Sequence, residues 1–296
     1  VERRTIAMAG ELKTEPHRRV VQNGILDLHT GELEEHTPHE PHQTMIPARY
    51  DPDAECPRID EFFHEIVPDS DVPTLYRLIA HSLYGEYVTG KAAMLLGDGQ
   101  NGKSVFLSLV EQFLGEFNVS HRALQDFDQN DYAANELQGK LANVHPDMSD
   151  ESVSELGTFK KLTGQDTLTA DVKYENPITF ENRATLIFAA NRMPVLNEDT
   201  HALWRRWIYV NFPYRFDDDD PDAKDETPKR VLMRELTTDD ELEGLLARCV
   251  KEIREWWGGR AWYPGVSGTD TVRETMKRAS EPVSDFAASA LTQAQD

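Results

Sequence analysis

The feature that most constrains this chain is the stretch GDGQNGKS at residues 97–104. It matches G-x-x-x-x-G-K-[ST], a pattern in which glycines permit a tight loop whose backbone N–H groups can face phosphates. The apolar run at residues 91–96 predicts a buried strand before this phosphate loop, and apolar residues at helical spacing predict a helix after it. A strand, the loop and a helix in that order predict a phosphate-binding α/β core.

Each residue type in the loop has a chemical role. Lys103 is expected to reach the β- and γ-phosphates of a nucleotide, and the Ser104 hydroxyl to ligate Mg²⁺. The other residues expected to bind the cofactor are Gly97, Gly99, Asn101 and Gly102. The sequence therefore predicts ATP and Mg²⁺ as cofactors, against the alternative of a glycine-rich turn that binds nothing.

The rest of the chain predicts an α/β fold, with helices on both faces of a mainly parallel sheet. Further strands are expected at 141–144, 167–170, 178–180, 184–190 and 207–210, and further helices at 59–66, 73–83, 157–162 and 242–257. A Thr-Gly turn at 30–31 predicts a small hairpin ahead of the first helices.

An ATPase also needs an acidic residue at the end of a neighbouring strand to hold the metal or polarise water. Asp147 follows the predicted strand at 141–144 and is our candidate for both roles. Asp150 and Glu151 are competitors, and all three acids could instead be ordinary surface residues.

A series of segments carries a family resemblance over about residues 23–215. In chain order these segments are NGILDL with TGEL, YDP, LLGDGQNGKS, LQGKLAN, FKKLTGQD, FAANRMP and WRRW. The ordered set resembles superfamily 3 helicases of the poxvirus-type and phage–plasmid primase–helicase branch. The resemblance implies an AAA+-like ATPase core in an ATP-dependent DNA helicase that replicates plasmid, viral or proviral DNA. It also implies a homo-hexamer or other ring around single-stranded DNA, with a primase module on the same or a separate chain.

The resemblance also implies roles for particular residues. Asn191 resembles the polar sensor of the γ-phosphate or attacking water, and Arg205 or Arg206 the arginine finger inserted into the neighbouring subunit's ATP site. Lys160, Lys161 and Lys173 resemble the DNA-contacting residues of the family's channel hairpin. Each of these residues could instead have a purely structural role. The asparagine could cap a turn, the arginines could form ion pairs, and the lysines could be solvated surface residues.

One departure from the family pattern affects the functional prediction. Related sequences usually place an acidic pair at the end of the second strand, where this chain has Pro146 before Asp147. We therefore keep a second hypothesis, an ATP-binding replication-initiation or assembly protein that uses the nucleotide as a switch with little hydrolysis. A third is a monomeric phosphotransferase, which needs no arginine finger.

The domain prediction has five parts. Residues 1–22 are a polar N-terminal segment, 23–88 a small hairpin and mostly helical domain, and 89–216 the ATPase core. Residues 217–280 carry an acidic loop and C-terminal helices, and 281–296 begin a linker to a further C-terminal domain. We expect the chain to be a fragment of a longer primase–helicase or the product of a split gene.

Composition adds expectations about the setting. The chain has 53 acidic and 31 basic residues, a net charge of −22, and only 11 Lys against 20 Arg. Such a surface repels nucleic acid when it is considered alone, but it also suits a salt-rich host such as a halophilic archaeon, its virus or plasmid. The two cysteines are far apart in sequence and indicate a reducing cytoplasm. The sequence contains no long apolar run free of charges, so we expect no membrane-spanning helix.

Overall fold

The computed structural model describes residues 15–37, 42–130, 132–148, 156–170, 177–192, 196, 199–217, 223–263 and 273–274. The strands are β1 (Arg18–Val21), β2 (Gly24–Asp27), β3 (Leu33–Glu34), β4 (Ala92–Leu96), β5 (Val119–Ser120), β6 (Ala142–His145), β7 (Thr167–Ala170), β8 (Ile178–Glu181), β9 (Thr185–Ala190) and β10 (Trp207–Asn211). The α-helices are α1 (Pro57–Ile66), α2 (Val72–Leu83), α3 (Lys103–Leu114), α4 (Asp126–Gln129), α5 (Gly157–Thr163), α6 (His201–Trp204), α7 (Lys229–Leu236) and α8 (Asp239–Trp257).

A five-stranded sheet with the order β10-β4-β9-β6-β5 lies at the centre of the fold. All of its pairings are parallel, and Leu95 of β4 lies between Val210 of β10 and Ala189 of β9. β4 and β9 are buried along their whole length, as expected for a parallel sheet covered on both faces. Because the strands are parallel, all five end at one edge, the carboxyl edge, and begin at the opposite amino edge.

Different elements cover the two faces of the sheet. One face, including Leu95 and Ile187, shares a continuous apolar cluster with residues of α1, α2, α3, α7 and α8. The other face packs against α5, where Trp207 of β10 stacks on Phe159 with ring centroids 4.7 Å apart. The predicted α/β fold with helices on both faces is therefore confirmed.

A small antiparallel sheet, β1-β2-β3, precedes the helices. The predicted hairpin is confirmed as β2 and β3, with Leu26 opposite Leu33. Arg18–Val21, within the predicted polar N-terminal segment, pair with β2 as strand β1, which the sequence did not predict. The sequence RRVV does not predict a strand, because its apolar and polar residues do not alternate. The two buried positions are Arg19 and Val21, one charged and one apolar.

The helices that follow also match the prediction. α1 and α2 each begin one or two residues before their expected start and end where expected. Arg77 of α2 donates to Glu252 of α8 at 2.9 Å, and both side chains are buried. Because α1 and α2 share the apolar cluster of the sheet, they are packed onto the core, and a domain boundary at residue 88 stays a prediction.

β7 and β8 form an antiparallel pair that runs from Thr167 opposite Glu181 to Ala170 opposite Ile178. The predicted strand pair is confirmed, while its polar tip at 171–176 lies outside the described residues, as do residues 218–222 of the predicted acidic loop. In the described part of the chain, no helix combines the length and apolarity needed to cross a membrane.

Candidate functional site

Three loops meet at the carboxyl edge of the central sheet. The phosphate loop follows β4, Asp147 lies two residues beyond β6, and Asn191 follows β9 directly. Because β4, β9 and β6 are neighbours in the sheet, these loops line one cavity of about 580 Å³. The backbone N–H of Met148 donates to the carbonyl of Ala189 at 2.9 Å and keeps the segment after β6 close to β9.

The shape of the phosphate loop depends on glycine at position 102. Gly102 precedes α3 with a φ of +86°, a left-handed conformation that other residues adopt only at a cost. A Cβ at this position would lie 2.4 Å from Cγ2 of Ile66 in α1, so the loop packs directly against that helix. The backbone N–H groups that begin α3 thus remain at the cavity, where a helix N-terminus favours an anion.

Lys103 turns into its own loop and is only 5% exposed. Its Nζ donates to the carbonyls of Gly97 and Asp98, and to Oδ1 of Asn101 at 3.1 Å. Burial lowers the pKa of Lys103 to about 8, although the carboxylates of Asp98 and Asp147 act in the opposite direction. A buried ammonium held mainly by neutral acceptors is a strong site for a phosphate.

Asn191 lies beside this ammonium. Its Oδ1 accepts from Lys103 Nζ at 3.5 Å, and the side chain is exposed to the cavity. The structure therefore brings the predicted sensor residue to the predicted phosphate-binding lysine. This arrangement allows Asn191 and Lys103 to contact the same terminal phosphate.

The oxygen ligands at this edge suit Mg²⁺. Ser104 and Asp147 are exposed and line the cavity, so they offer one hydroxyl and one carboxylate. Mg²⁺ prefers such hard ligands and usually keeps waters and phosphate oxygens in its other positions. No cluster of three or more His, Cys, Asp or Glu side chains suited to a metal occurs in the described residues. Asp150 and Glu151 lie outside the described residues.

Sequence reasoning missed one wall of the cavity. It is formed by Phe62 and Glu65 of α1, Phe216 after β10, and Lys224. The Phe216 N–H donates to the Gln100 carbonyl at 2.7 Å, and Lys224 Nζ donates to the Glu65 carbonyl at 2.6 Å. These contacts connect the segment after β10 to the phosphate loop and to α1. No local sequence signal could have found them, because Phe62 has the spacing of an ordinary core residue.

Arg205 and Arg206 lie at the opposite edge of the sheet. They precede β10, whose first residue, Trp207, pairs with Ala92 at the start of β4. The phosphate loop begins only after Leu96, so about five residues of strand, or about 16 Å, separate the arginines from it. The structure therefore does not bring either arginine to the cavity of its own chain.

The two arginines differ in their surroundings. Arg205 is exposed, and no hydrogen-bond or ion-pair partner of its guanidinium occurs among the residues whose positions are described. Arg206 is half-buried and donates to the carbonyl of Ala202. Arg205 is therefore better placed to reach another molecule.

Lys160 and Lys161 lie in the last turn of α5, just before the β7–β8 pair. Lys161 is exposed and Lys160 is half-buried, while Lys173 belongs to the hairpin tip outside the described residues. The two described lysines are thus beside the stem of the predicted DNA-contacting hairpin and not at the nucleotide cavity.

Comparisons with known proteins give two matches to family models. Residues 4–68 match the family described as "D5 N terminal like", and residues 95–206 match "Family of unknown function (DUF5906)". The second match includes the whole phosphate loop, Asp147, Asn191 and both arginines.

Among curated proteins, the chain is similar to several viral proteins. It is 26% identical over 208 residues to "Putative helicase L207/L206" of Acanthamoeba polyphaga mimivirus, covering 66% of this chain and 22% of that protein. It is 26% identical over 267 residues to "Putative helicase 184R" of Invertebrate iridescent virus 6, covering 81% and 26%. It is 22% identical over 240 residues to "Putative primase C962R" of African swine fever virus (strain Badajoz 1971 Vero-adapted), covering 74% and 25%. The chain thus spans about a quarter of the length of these relatives.

Among solved structures, the chain resembles the apo C-terminal region of NrS-1. One such structure has a TM-score of 0.53 at 16% identity, covering 90% of this chain and 58% of that one. A second, the A form, has a TM-score of 0.52 at 13% identity, covering 83% and 59%. These likenesses concern the fold. The family-model and curated matches together support a relationship to viral helicase and primase proteins.

Proposed function

We propose that this chain is the ATPase part of a superfamily 3 DNA helicase that replicates a plasmid, virus or provirus. The observation that carries the proposal is the shared cavity, which the phosphate loop, Asp147 and Asn191 line together. No arginine lines this cavity in the described part of the chain, and Arg205 lies exposed at the far edge of the sheet. In a closed ring with head-to-tail interfaces, that edge of one subunit can complete the site of the next.

The cavity residues would act on the triphosphate of ATP. Lys103 Nζ would exchange the carbonyls of its own loop for β- and γ-phosphate oxygens, and Asn191 would orient the γ-phosphate or the attacking water. Mg²⁺, held by Ser104 and Asp147, would neutralise charge on the phosphate oxygens. Asp147 would also help to activate the water.

DNA contact would come from the β7–β8 hairpin. Lys173 at its tip, together with Lys160 and Lys161 beside its stem, would contact backbone phosphates of one DNA strand in the channel of a hexamer or other ring. Hydrolysis around the ring would move these contacts along the strand. A primase module on the same or a separate chain would be the replication partner.

The acidic composition supports a proposal about the setting. A net charge of −22 keeps a protein soluble when concentrated salt screens its self-repulsion. We propose a salt-rich cytoplasm, as in a halophilic archaeon that carries the plasmid or virus. Assays of activity therefore belong in molar as well as dilute salt.

ATP hydrolysis with and without single-stranded DNA tests the helicase proposal. We expect Mg²⁺-dependent turnover that DNA stimulates, no turnover in Lys103→Ala, and loss of stimulation but not of basal turnover in Lys173→Ala. Lys251→Ala, an exposed lysine of α8, serves as the matched control and should behave as wild type. Turnover that DNA leaves unchanged at every salt concentration would contradict the proposal.

A specific observation also favours the nucleotide-switch alternative. Pro146 precedes Asp147, so a single carboxylate follows β6 in the part of the chain that the structure describes. Turnover of wild type beside Asp147→Asn separates the two proposals. A helicase loses about 10²- to 10⁴-fold when its general base is removed, whereas a switch binds ATP and shows almost no turnover in either protein.

A further inference from the structure

A second polar pocket lies at the amino edge of the sheet, away from the phosphate loop. It has a volume of about 50 Å³, and four basic side chains line it, from Arg18, Arg19, Lys140 and Arg183. Lys140 precedes β6 and Arg183 precedes β9, the neighbouring strand, while the other two come from β1. Glu15 also lines the pocket, and Arg18 pairs with Glu34 at 2.8 Å. Basic side chains still outnumber acidic ones here, in a chain of net charge −22.

Arg19 is the central cation of this basic pocket. The residue is only 6% exposed, and its guanidinium donates to the carbonyls of Leu83 and Arg18, both at 2.7 Å. No carboxylate of the described residues pairs with it. Burial and the charge of Arg183 lower the pKa of Arg19 to about 10. A buried cation beside a second cation is stabilised when an anion binds between them.

Two glycines make room for the polar groups of the basic pocket. A Cβ at Gly85 would lie 1.7 Å from Nη2 of Arg19, and a Cβ at Gly139 would lie 2.0 Å from Nε2 of Gln43. Both glycines have positive φ and both line the pocket. The guanidinium and the amide therefore occupy positions that a side chain at 85 or 139 would block, and both groups are hydrogen-bond donors.

We propose that the basic pocket binds one backbone phosphate of single-stranded DNA. Its volume holds about four water-sized groups, which suits the oxygens of one phosphate and is far too small for a nucleoside. A site that accepts phosphate and excludes the base is typical of sequence-independent contact with a nucleic-acid backbone. The proposal rests on the proposed function only in taking DNA as the ligand.

Binding of a labelled 30-nucleotide oligothymidylate tests the proposal, measured by fluorescence anisotropy over a series of KCl concentrations without nucleotide. Lys140→Gln with Arg183→Gln is the main variant, because both residues line the basic pocket and are half-buried, whereas Arg19 is buried. We expect about tenfold weaker binding at fixed salt and a slope of log K against log salt that is smaller by about 0.7, the value for one phosphate of a single strand. Arg234→Gln, an exposed arginine of α7, should leave both quantities unchanged.

The outcomes distinguish this proposal from the proposed function. Weaker DNA binding in the double variant, with unchanged ATP binding, supports the basic pocket. Unchanged affinity and slope overturn it, as does a double variant that loses only inorganic-phosphate binding. In another outcome, the wild-type protein shows no ATP turnover while its salt slope for DNA binding still exceeds that of the double variant. That result overturns the helicase proposal and supports the phosphate site. Arg19→Gln is a secondary variant, used only if its thermal unfolding midpoint matches wild type.

Discussion

Substitution of Arg205 tests the ring hypothesis most directly, because two mechanisms predict effects of very different size. Arg205 lies about 16 Å from the phosphate loop of its own chain, as estimated from the five paired residues of β10 and β4. If the residue acts within its own chain, its effect on the nucleotide can only be electrostatic. If it acts on the neighbouring subunit, it can contact the transferred phosphoryl group directly.

The distance sets the size of the effect within one chain. Two unit charges about 16 Å apart in water interact by about 0.3 kcal/mol, and a Debye length of about 8 Å at physiological ionic strength reduces this further. Removal of Arg205 would then change the rate by less than about twofold. An arginine finger in direct contact contributes about 10³- to 10⁵-fold. We therefore expect Arg205→Ala to lower kcat by at least about a thousandfold, with little change in ATP affinity.

Steady-state hydrolysis by Arg205→Ala and Arg206→Ala, measured separately, gives the comparison. Arg206→Ala should have the smaller effect, because Arg206 already donates to the Ala202 carbonyl. Arg234→Ala provides the control for the loss of one positive charge. Nucleotide binding is measured on the same samples to separate turnover from affinity.

Mixing experiments establish which subunit supplies the arginine. Lys103→Ala lacks a working site but keeps its arginine, whereas Arg205→Ala keeps the site and lacks the arginine. In a random equal mixture, about a quarter of the head-to-tail interfaces combine the two intact parts, so activity should return to about that fraction. If Arg205→Ala keeps more than half of the wild-type rate of ATP hydrolysis, Arg205 is not an arginine finger. If the mixture regains no hydrolysis, Arg205 does not act on the neighbouring subunit.

Three further predictions concern the stability of the fold. Gly102→Ala should lower the free energy of unfolding by about 2–5 kcal/mol through left-handed strain and overlap with Ile66, while Gly99→Ala, whose Cβ meets nothing within 4 Å, should match wild type in urea unfolding. Arg77→Met should cost about 1.5–3 kcal/mol because Glu252 loses its buried partner and keeps only the ion pair with Arg248 at 3.0 Å; thermal unfolding unchanged from wild type would contradict this. Burial lowers the pKa of His81 to about 3, so between about pH 6.5 and pH 3 the unfolded state binds the extra proton, and stability falls by about 1.4 kcal/mol per unit as pH decreases. In urea unfolding at pH 7 and pH 5.5, His81→Gln should lose less stability than wild type between the two pH values. Equal losses in the two proteins would contradict this prediction.

Much of the central fold was predictable because its signals are local. β4, the phosphate loop and α3 form one continuous pattern, in which a short apolar run, glycines and helical spacing follow each other from Ala92 to Leu114. β9 was predictable for the same reason, since a short β-rich apolar run has few alternatives. β1 was not, because Arg19 is buried against the carbonyl of Leu83, which lies 64 residues away in sequence.

The candidate site was predictable in part. Lys103, Asp147 and Asn191 each follow a strand of a parallel sheet, so their convergence at one edge follows from the strand prediction and the geometry of parallel strands. Phe62, Glu65 and Lys224 belong to the same cavity without any motif. They reach it through the packing of α1 against Gly102 and through the backbone contact between Phe216 and Gln100.

The sequence by itself determined most strands and helices of the central fold and the position of the candidate phosphate loop, because backbone preference, apolar periodicity and loop glycines act over a few residues. The tertiary structure decided on which edge of the sheet each functional side chain lies. The parallel strand order carries Asp147 and Asn191 to Lys103, and it leaves Arg205, Arg183 and Lys140 at the opposite edge. That separation follows from strand direction, which depends on contacts between residues far apart in the chain.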